Sequence, residues 1–455
     1  MNTKRTLDLI ISDVLAVVKP KQSDWAIRFQ IIDELRRVVE SVESLRGATV
    51  EPFGSFVSNL FTTSGDLDIS IHLSLSAYIT FSGKNHKQKL LGDLLAALRN
   101  GGWCKLQFIQ HAKIPILKFV SKYKRISCDV SVDNLKGQIK SKLLLWLGKI
   151  DERFRDLVLL VKEWAKSHDI NNPKHGTLNS YTLSLLVIFH FQTCSPPIFP
   201  PLSNIYHGNA ADHLTGIRAD AERHIAETCA ANIDRFISNR SDPINGSSLS
   251  ELFITFLAKF SGIASKAVEF GICPYTGRWE RLCNNTRWMP KTYMMFVEDP
   301  FDQPENTAKS VNSRKLIQIS EAFEFSYNTL ISANQSPSYL LSLVATPQVV
   351  RHLTRPPRDE HQSGNRPPAS GGLRLAHPMK QQSQKVGSQS SASMSSNKVT
   401  NHKFMQQDLR GSSMQKYREI RPARNGIKPQ QTRKQEQQEC TKLATNPPTR
   451  HKARS

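Results

Sequence analysis

The sequence predicts an α+β protein: a mixed β-sheet with helices, then an all-helical block, then a disordered basic tail. Three observations carry this. Period-two alternation of apolar and polar residues recurs between residues 46 and 140. After residue 140 the apolar residues fall at helical spacing. Past residue 345 the aliphatic residues thin out and Gln, Ser, Pro, Lys and Arg take their place. The expected divisions are N-terminal helices over 1–45 packing on the folded core, a sheet domain over 46–140, a helical domain over 141–345 and the tail over 346–455.

Each element has a local reason. LDLIISDVLAVV follows Lys4 and Arg5 in the manner of a signal peptide, but Asp8 and Asp13 interrupt it and no small-residue cleavage site follows. An amphipathic helix is expected instead. Residues 24–45 carry apolar side chains at helical spacing with charge opposite, the mark of a second helix. From Ala48 the text turns strand-like, breaks at a polar turn over Thr62 to Gly65, and alternates again in DLDISIHL. QKLLGDLLAALRN reads as a helix, and LQFIQHAKIPILKFVSKYKRISCDVSVDN holds up to three strands. RFRDLVLLVKEWAKSH and SYTLSLLVIFHFQ then open a helical run reaching about Leu343.

Composition narrows the class. A hydrophobic share of 39% in 455 residues is low for a fully globular chain, which agrees with an unfolded tail. The best apolar run, Leu183 to Phe189, is far too short to cross a membrane, so no membrane role is expected. Seven scattered cysteines without a CxxC pair point to reduced thiols in an intracellular protein and away from zinc. The net charge of +22 is uneven: from Arg351 to Ser455 there are 21 Lys and Arg against 6 Asp and Glu. A flexible arm of that sign suits nucleic-acid phosphates; a solubilising tail without a particular partner is the other reading.

The chemistry concentrates in GSFVSNLFTTSGDLD, Gly54 to Asp68. Asp66 and Asp68, two apart on a strand, project from one face, and like charges side by side call for a cation between them. Magnesium, which takes oxygen ligands, is the natural occupant. Gly54 and Ser55 sit at a strand-to-helix turn whose backbone N–H groups and hydroxyl suit a phosphate. In ISCDVSVDN, Asp129 lies mid-strand where an unpaired charge is costly, whereas Asp133 falls at the strand end as a turn residue would. Asp129 is therefore the third carboxylate. Three carboxylates on adjacent strands beside a Gly-Ser turn form a layout for two-metal nucleotidyl transfer.

GS followed by GDLDI, with a strand-borne Asp further on, resembles the polymerase-beta-type nucleotidyltransferase superfamily. LVLLVKEWAKSHDIN, GTLNSYTLSLLVIFHF and VEDPFD resemble the noncanonical poly(A) polymerases and terminal uridylyltransferases. SVESLRGATVEPFGSFVSNLF and RFRDLVLLVKEWAKSHDI are similar to the plant small-RNA uridylyltransferases, and the resemblance covers about residues 1–345. It implies a polymerase-beta-like catalytic domain over 46–140 and a poly(A)-polymerase-associated domain over 141–345. It also implies Mg²⁺ (or Mn²⁺) at Asp66, Asp68 and Asp129, with Asp129 the general base for an RNA 3′-hydroxyl. Gly54 and Ser55 match the triphosphate turn, Lys162 and Lys166 phosphate ligands, Ser180 and Tyr181 a hydroxyl and a stacking ring. Asn134 matches a contact to the uracil and ribose edge, and Asp299 the residue that reads the base.

Read without the family, Lys162 and Lys166 are equally a solvated basic face, Ser180 and Tyr181 an N-cap with a core tyrosine, and Asn134 a turn residue. His72, His111 and His190 lack a metal spacing, and GSFVS is not a serine-hydrolase elbow. The resemblance implies transfer of uridylates from UTP to the 3′ ends of small RNAs lacking a terminal 2′-O-methyl group. An Argonaute partner, decay of the tailed RNA, and a nuclear and cytoplasmic distribution follow from it. Two departures matter: Glu305 stands where several uridylyltransferases carry a base-selecting histidine, and Lys140 where relatives often have an Asn near the ribose. A poly(A)-adding enzyme therefore stays open, as does an inactive RNA-binding scaffold.

Overall fold

A computed structural model describes residues 3–73, 78–79, 83–240, 244–288, 293–332 and 335–355. Helices α1 (Thr3–Val18) and α2 (Gln22–Ser41) lead into strand β1 (Thr49–Phe53), the single turn α3 (Gly54–Val57) and β2 (Leu67–His72). Helix α4 (Lys84–Asn100), strands β3 (Cys104–Ile109), β4 (Ile116–Val120) and β5 (Ser127–Val132), and helix α5 (Leu135–Leu147) follow. Up to three strands were expected from Leu106 to Asn134, and three are present, β3 starting two residues earlier at Cys104.

The sheet runs in the order β1-β2-β5-β4-β3. Its one parallel pair, β2 with β5, lies at the centre and sets Asp68 opposite Asp129. β1 pairs antiparallel with β2, bringing Phe53 opposite Asp68. β4 pairs antiparallel with β5, bringing Lys118 opposite Asp129. Leu67, Ile69, Ile71, Val130 and Leu117 fill the core beneath, against Ile31 and Leu35 of α2 and Leu91 and Leu94 of α4. Each such side chain removed from water contributes about 1.5–3 kcal/mol.

The second core is helical. α6 (Arg153–Ser167), α7 (Ser180–Thr193), α8 (Arg218–Ser238), α9 (Leu249–Phe260) and α10 (Ile263–Lys266) precede two short strands, β6 (Phe270–Cys273) and β7 (Arg278–Arg281). α11 (Ser313–Ile331), α12 (Pro337–Val344) and α13 (Pro347–Leu353) complete it. The β6–β7 hairpin corrects the expectation of an all-helical block; four-residue strands are too short to print an alternation. Fully buried aromatics, among them Trp164, Phe253 and Phe323, pack edge-on or tilted through this core.

The N-terminal helices divide between the cores. Leu7, Ile11, Val14 and Val18 of α1 join the helical core, whereas α2 packs on the sheet. Helix α5 also belongs to both: it emerges from β5, and its Ile139, Leu143 and Leu147 pack with the helices. The boundary expected at residue 140 thus falls inside α5, and α13 carries the helical fold past residue 345 to Leu353. The remainder of the tail expected to be disordered, 356–455, lies outside the described residues. Among the described residues no helix is long and apolar enough to cross a membrane, and the six cysteines are unpaired.

Candidate active site

The sheet's parallel centre builds the site. Asp68 is the second residue of β2, in register with Asp129 of β5, whereas Asp66, expected on the strand, stands one residue before it. Burial, then the charges of Asp129 and Asp66, push the Asp68 carboxyl up to about 7. Asp66 has an exposed surface, yet the protein on its inner side and the nearby Asp129 raise its carboxyl above the ordinary range. These carboxylates are arranged to repel one another, and a bound cation would relieve that repulsion.

Gly54 is the closest neighbour. Its φ of +67° is a left-handed conformation, and a Cβ there would lie 2.1 Å from Asp68 Oδ2. Only glycine lets β1 turn into α3 against the carboxylate. The Gly54 N–H donates to Ser141 Oγ at 2.7 Å, so this amide, expected to be open to a phosphate, is engaged by α5.

Sequence reasoning missed Lys118. Its ammonium lies 2.5 Å from Asp129 Oδ1, which gives that carboxylate the positive partner a cation would supply. The signal was a single charge inside the apolar run IPILKFV. Among the described residues no three His, Cys, Asp or Glu side chains are gathered tightly enough to close a metal shell. The oxygen-only donor set, the mutual repulsion and the stand-in ammonium fit a hard divalent cation at Asp66, Asp68 and Asp129.

α6 presents the two predicted lysines differently. Lys162 is buried and donates to the Leu60 carbonyl at 2.7 Å; burial, then Lys166, bring its ammonium down to about 7. Lys166 is half-buried, and its charge bears on both Lys162 and Asp66. The solvated basic face is thus excluded for Lys162, which faces inward.

The far wall comes from α7 and the VEDPFD loop. Asn179, not Ser180, caps α7, accepting from the Thr182 N–H at 2.8 Å. Ser180 exchanges contacts with the Asn171 side chain. Tyr181 donates its hydroxyl to Asp299 Oδ1 at 3.0 Å, and burial beside Asp299 pushes the phenol well up, so it remains a donor. Asp299, 3% exposed, also accepts the Phe301 N–H and holds Lys140 Nζ at 2.6 Å. Lys140 reaches Asp302 at 3.2 Å, where Lys136 binds too. Asn134 acts as the N-cap of α5, accepting from the Gly137 N–H at 3.2 Å. Glu305 lies 2.9 Å from Lys113, in the turn between β3 and β4.

α5 is therefore the common floor. Ser141 on one side holds the Gly54 turn, and Lys140 on the next side holds Asp299. The carboxylates stand on one wall and Tyr181 with Asp299 on the other. A cavity of about 270 Å³ beside Trp103, Cys104 and Lys105 lies at the opposite, β3 edge of the sheet and is not part of this arrangement.

Comparison with known proteins agrees with this architecture. Residues 7–148 match the family described as poly(A) RNA polymerase, mitochondrial-like, central palm domain. The chain is 59% identical over 333 residues to Protein HESO1 of Arabidopsis thaliana, covering 73% of this chain and 65% of HESO1. It is 30% identical over 238 residues to the human poly(A) RNA polymerase GLD2, covering 51% of this chain and 45% of that protein. The chain thus spans just under two thirds of HESO1 and under half of GLD2.

Among solved structures, a mutant of the Cid1 poly(U) polymerase bound to MgATP superposes with a TM-score of 0.59 at 23% identity. That match covers 74% of this chain and 98% of Cid1. mtPAP in complex with UTP gives 0.58 at 20% identity, covering 76% of this chain and 72% of mtPAP. The fold is polymerase-beta-like, a mixed-sheet domain joined to a helical domain as in the Cid1 and mtPAP structures, and over its folded part the chain is similar to HESO1.

Proposed function

We propose that this chain adds uridylates from UTP to RNA 3′ ends without a template. The observation that carries this reading is the Asp68–Asp129 register pair, joined through α5 to the Tyr181–Asp299 wall. It puts a metal-type carboxylate set and a Lys140–Asp299–Tyr181 polar cluster on two sides of one helix. The 59% identity to HESO1 supports it, as do the bound nucleotides of Cid1 and mtPAP.

Asp66, Asp68 and Asp129 would hold Mg²⁺ or Mn²⁺, whose charge acidifies the RNA 3′-hydroxyl and neutralises phosphate oxygens. The chain's own residues do the rest. Asp129 takes the proton of the 3′-hydroxyl, whose oxygen forms a bond to the α-phosphorus. The bond from that phosphorus to the bridging oxygen breaks, and diphosphate leaves. Lys166 and the Ser55 hydroxyl hold the triphosphate, with Lys162 steadying the Leu60 backbone beside them. Tyr181 stacks the base and Asp299 meets its edge, while Ser180 and Asn134 line the approach.

Small RNAs with a free 2′-hydroxyl are the proposed substrates, presented by an Argonaute in nucleus and cytoplasm, with the basic tail binding RNA. A terminal 2′-O-methyl group would crowd the attacking oxygen. Glu305 favours one second reading, polyadenylation, because the usual uracil-selecting histidine is replaced. Extension of paired small RNAs, with and without the methyl group, separates these. Use of UTP on the unmethylated RNA supports the proposal. Preference for ATP replaces it with polyadenylation, and equal use of both RNAs removes the small-RNA assignment.

A further inference from the structure

We infer that Lys140, acting with Asp299, selects the base by admitting only an edge with a carbonyl beside an N–H, and so takes over the task the missing histidine performs elsewhere. The inference rests on the uridylation reading above and deepens it.

The argument is one of hydrogen-bond capacity. An ammonium has three donors. Among the described residues, Lys140 spends two of them, on Asp299 Oδ2 at 2.6 Å and Asp302 Oδ2 at 3.2 Å, leaving one. Asp299 Oδ1 accepts the Tyr181 hydroxyl and the Phe301 N–H, which fills both of its lone pairs. Among the described residues Asp299 Oδ2 accepts only Lys140, leaving one acceptor site. The pair therefore offers one donor next to one acceptor, and nothing else. Asp299 is fixed by its other partners, so the pattern is preset before a base arrives, and Lys140, 21% exposed against 4% for Asp299, is the member of the pair that faces outward most.

Uracil presents O4 beside N3–H and satisfies both positions. Cytosine and adenine present an amino group beside a bare ring nitrogen, so donor meets donor and lone pair meets lone pair. Guanine has the matching edge, O6 beside N1–H, and its exclusion falls to pocket size rather than to Lys140. Lys140 also lies 5.9 Å from the Tyr181 ring centroid, close to any base stacked there. Burial disfavours the charged lysine, but the carboxylates of Asp299 and Asp302 more than offset it and raise the ammonium above its usual range, so the donor is always present. Glu305 cannot replace it, because a carboxylate only accepts hydrogen bonds and has none to give the base carbonyl.

The test compares kcat/KM for UTP, CTP, ATP, GTP and dUTP on one RNA primer, using the full chain and its Lys140→Met, Lys140→Arg and Lys140→Asn variants. Lys140→Met should lower the UTP-over-CTP and UTP-over-ATP ratios by about tenfold or more, the scale of one mismatched polar contact. Lys140→Arg should retain most of both ratios. Where a variant is inactive, equilibrium binding of each triphosphate gives the same ratios. Unchanged ratios in Lys140→Met, with UTP still preferred by the parent chain, overturn the inference and leave uridylation standing. Loss of discrimination against dUTP alone assigns Lys140 to the ribose and likewise overturns it. A parent chain that prefers ATP overturns both.

Discussion

Replacing Gly54 with alanine tests whether the β1–α3 turn sets the carboxylate geometry. Two costs arise. The first is conformational: a non-glycine residue at φ +67° pays about 1–2 kcal/mol. The second is positional. The new Cβ would lie 2.1 Å from Asp68 Oδ2 and 2.9 Å from its Cγ, so the carboxyl must retreat by roughly 1.3 Å or more to reach ordinary contact. A misplacement of that size in a reacting group costs about 10²-fold in rate. Gly47→Ala separates the two costs, because Gly47 has φ +76° with nothing within 4 Å of its would-be Cβ. Denaturant unfolding should show a loss of about 1–2 kcal/mol in both variants. Primer extension with UTP should fall about 100-fold in Gly54→Ala and stay within about threefold of the parent in Gly47→Ala. A Gly54→Ala chain with near-parental extension would refute the claim that this close approach positions Asp68.

Three further outcomes are expected. Burial, helped by Lys259, lowers the His190 imidazole to about 3, and among the described residues its Nδ1 lacks a partner; this neutral histidine stabilises the fold fully above about pH 6.5 and loses that contribution as pH falls towards 3. The unfolding free energy of the parent should therefore drop more steeply than that of His190→Leu, by about 1.4 kcal/mol per pH unit across that window, and parallel curves would contradict it. Arg28 is fully buried and donates to the carbonyls of Asp24, Thr63 and Gly65, so Arg28→Met should cost about 1–3 kcal/mol for each carbonyl left bare, read by denaturant titration. Tyr181→Phe keeps the ring and removes the donor to Asp299, so KM for UTP should rise about tenfold with kcat changed far less, whereas Tyr181→Ala should impair both.

Much of this arrangement is legible in the residues because strand geometry is local. Alternation in DLDISIHL and ISCDVSVDN fixes which side chains share a face, and that sufficed to single out Asp66, Asp68 and Asp129. Which strands are neighbours is not local. Asp66, Asp68 and Asp129 were expected on adjacent strands, but neither the parallel β2–β5 register that sets Asp68 against Asp129 nor the insertion of Lys118 opposite Asp129 was anticipated. Spacing placed Lys162 and Lys166 on one helix face but could not tell that Lys162 is buried under Leu60, since burial depends on what packs above. The same holds for α5, whose sequence reads as an ordinary helix. Its role as the floor depends on Ser141 meeting Gly54, 87 residues away, and on Lys140 meeting Asp299 across the cleft. Asn134 and Ser180 differ from their plain readings: Asn134, read as a turn residue, caps α5, and the cap read at Ser180 is supplied by Asn179.

The central claim is nucleotidyl transfer at Asp66, Asp68 and Asp129, and the most direct measurement follows labelled UMP from UTP into an RNA 3′ end together with diphosphate release. It would be made with Mg²⁺ on the purified full chain and on Asp66→Ala, Asp68→Ala and Asp129→Asn variants shown by circular dichroism to be folded. The account predicts one diphosphate released per residue added by the parent chain, and loss of both signals in every folded variant. Undiminished incorporation in a folded Asp68→Ala or Asp129→Asn chain would contradict it.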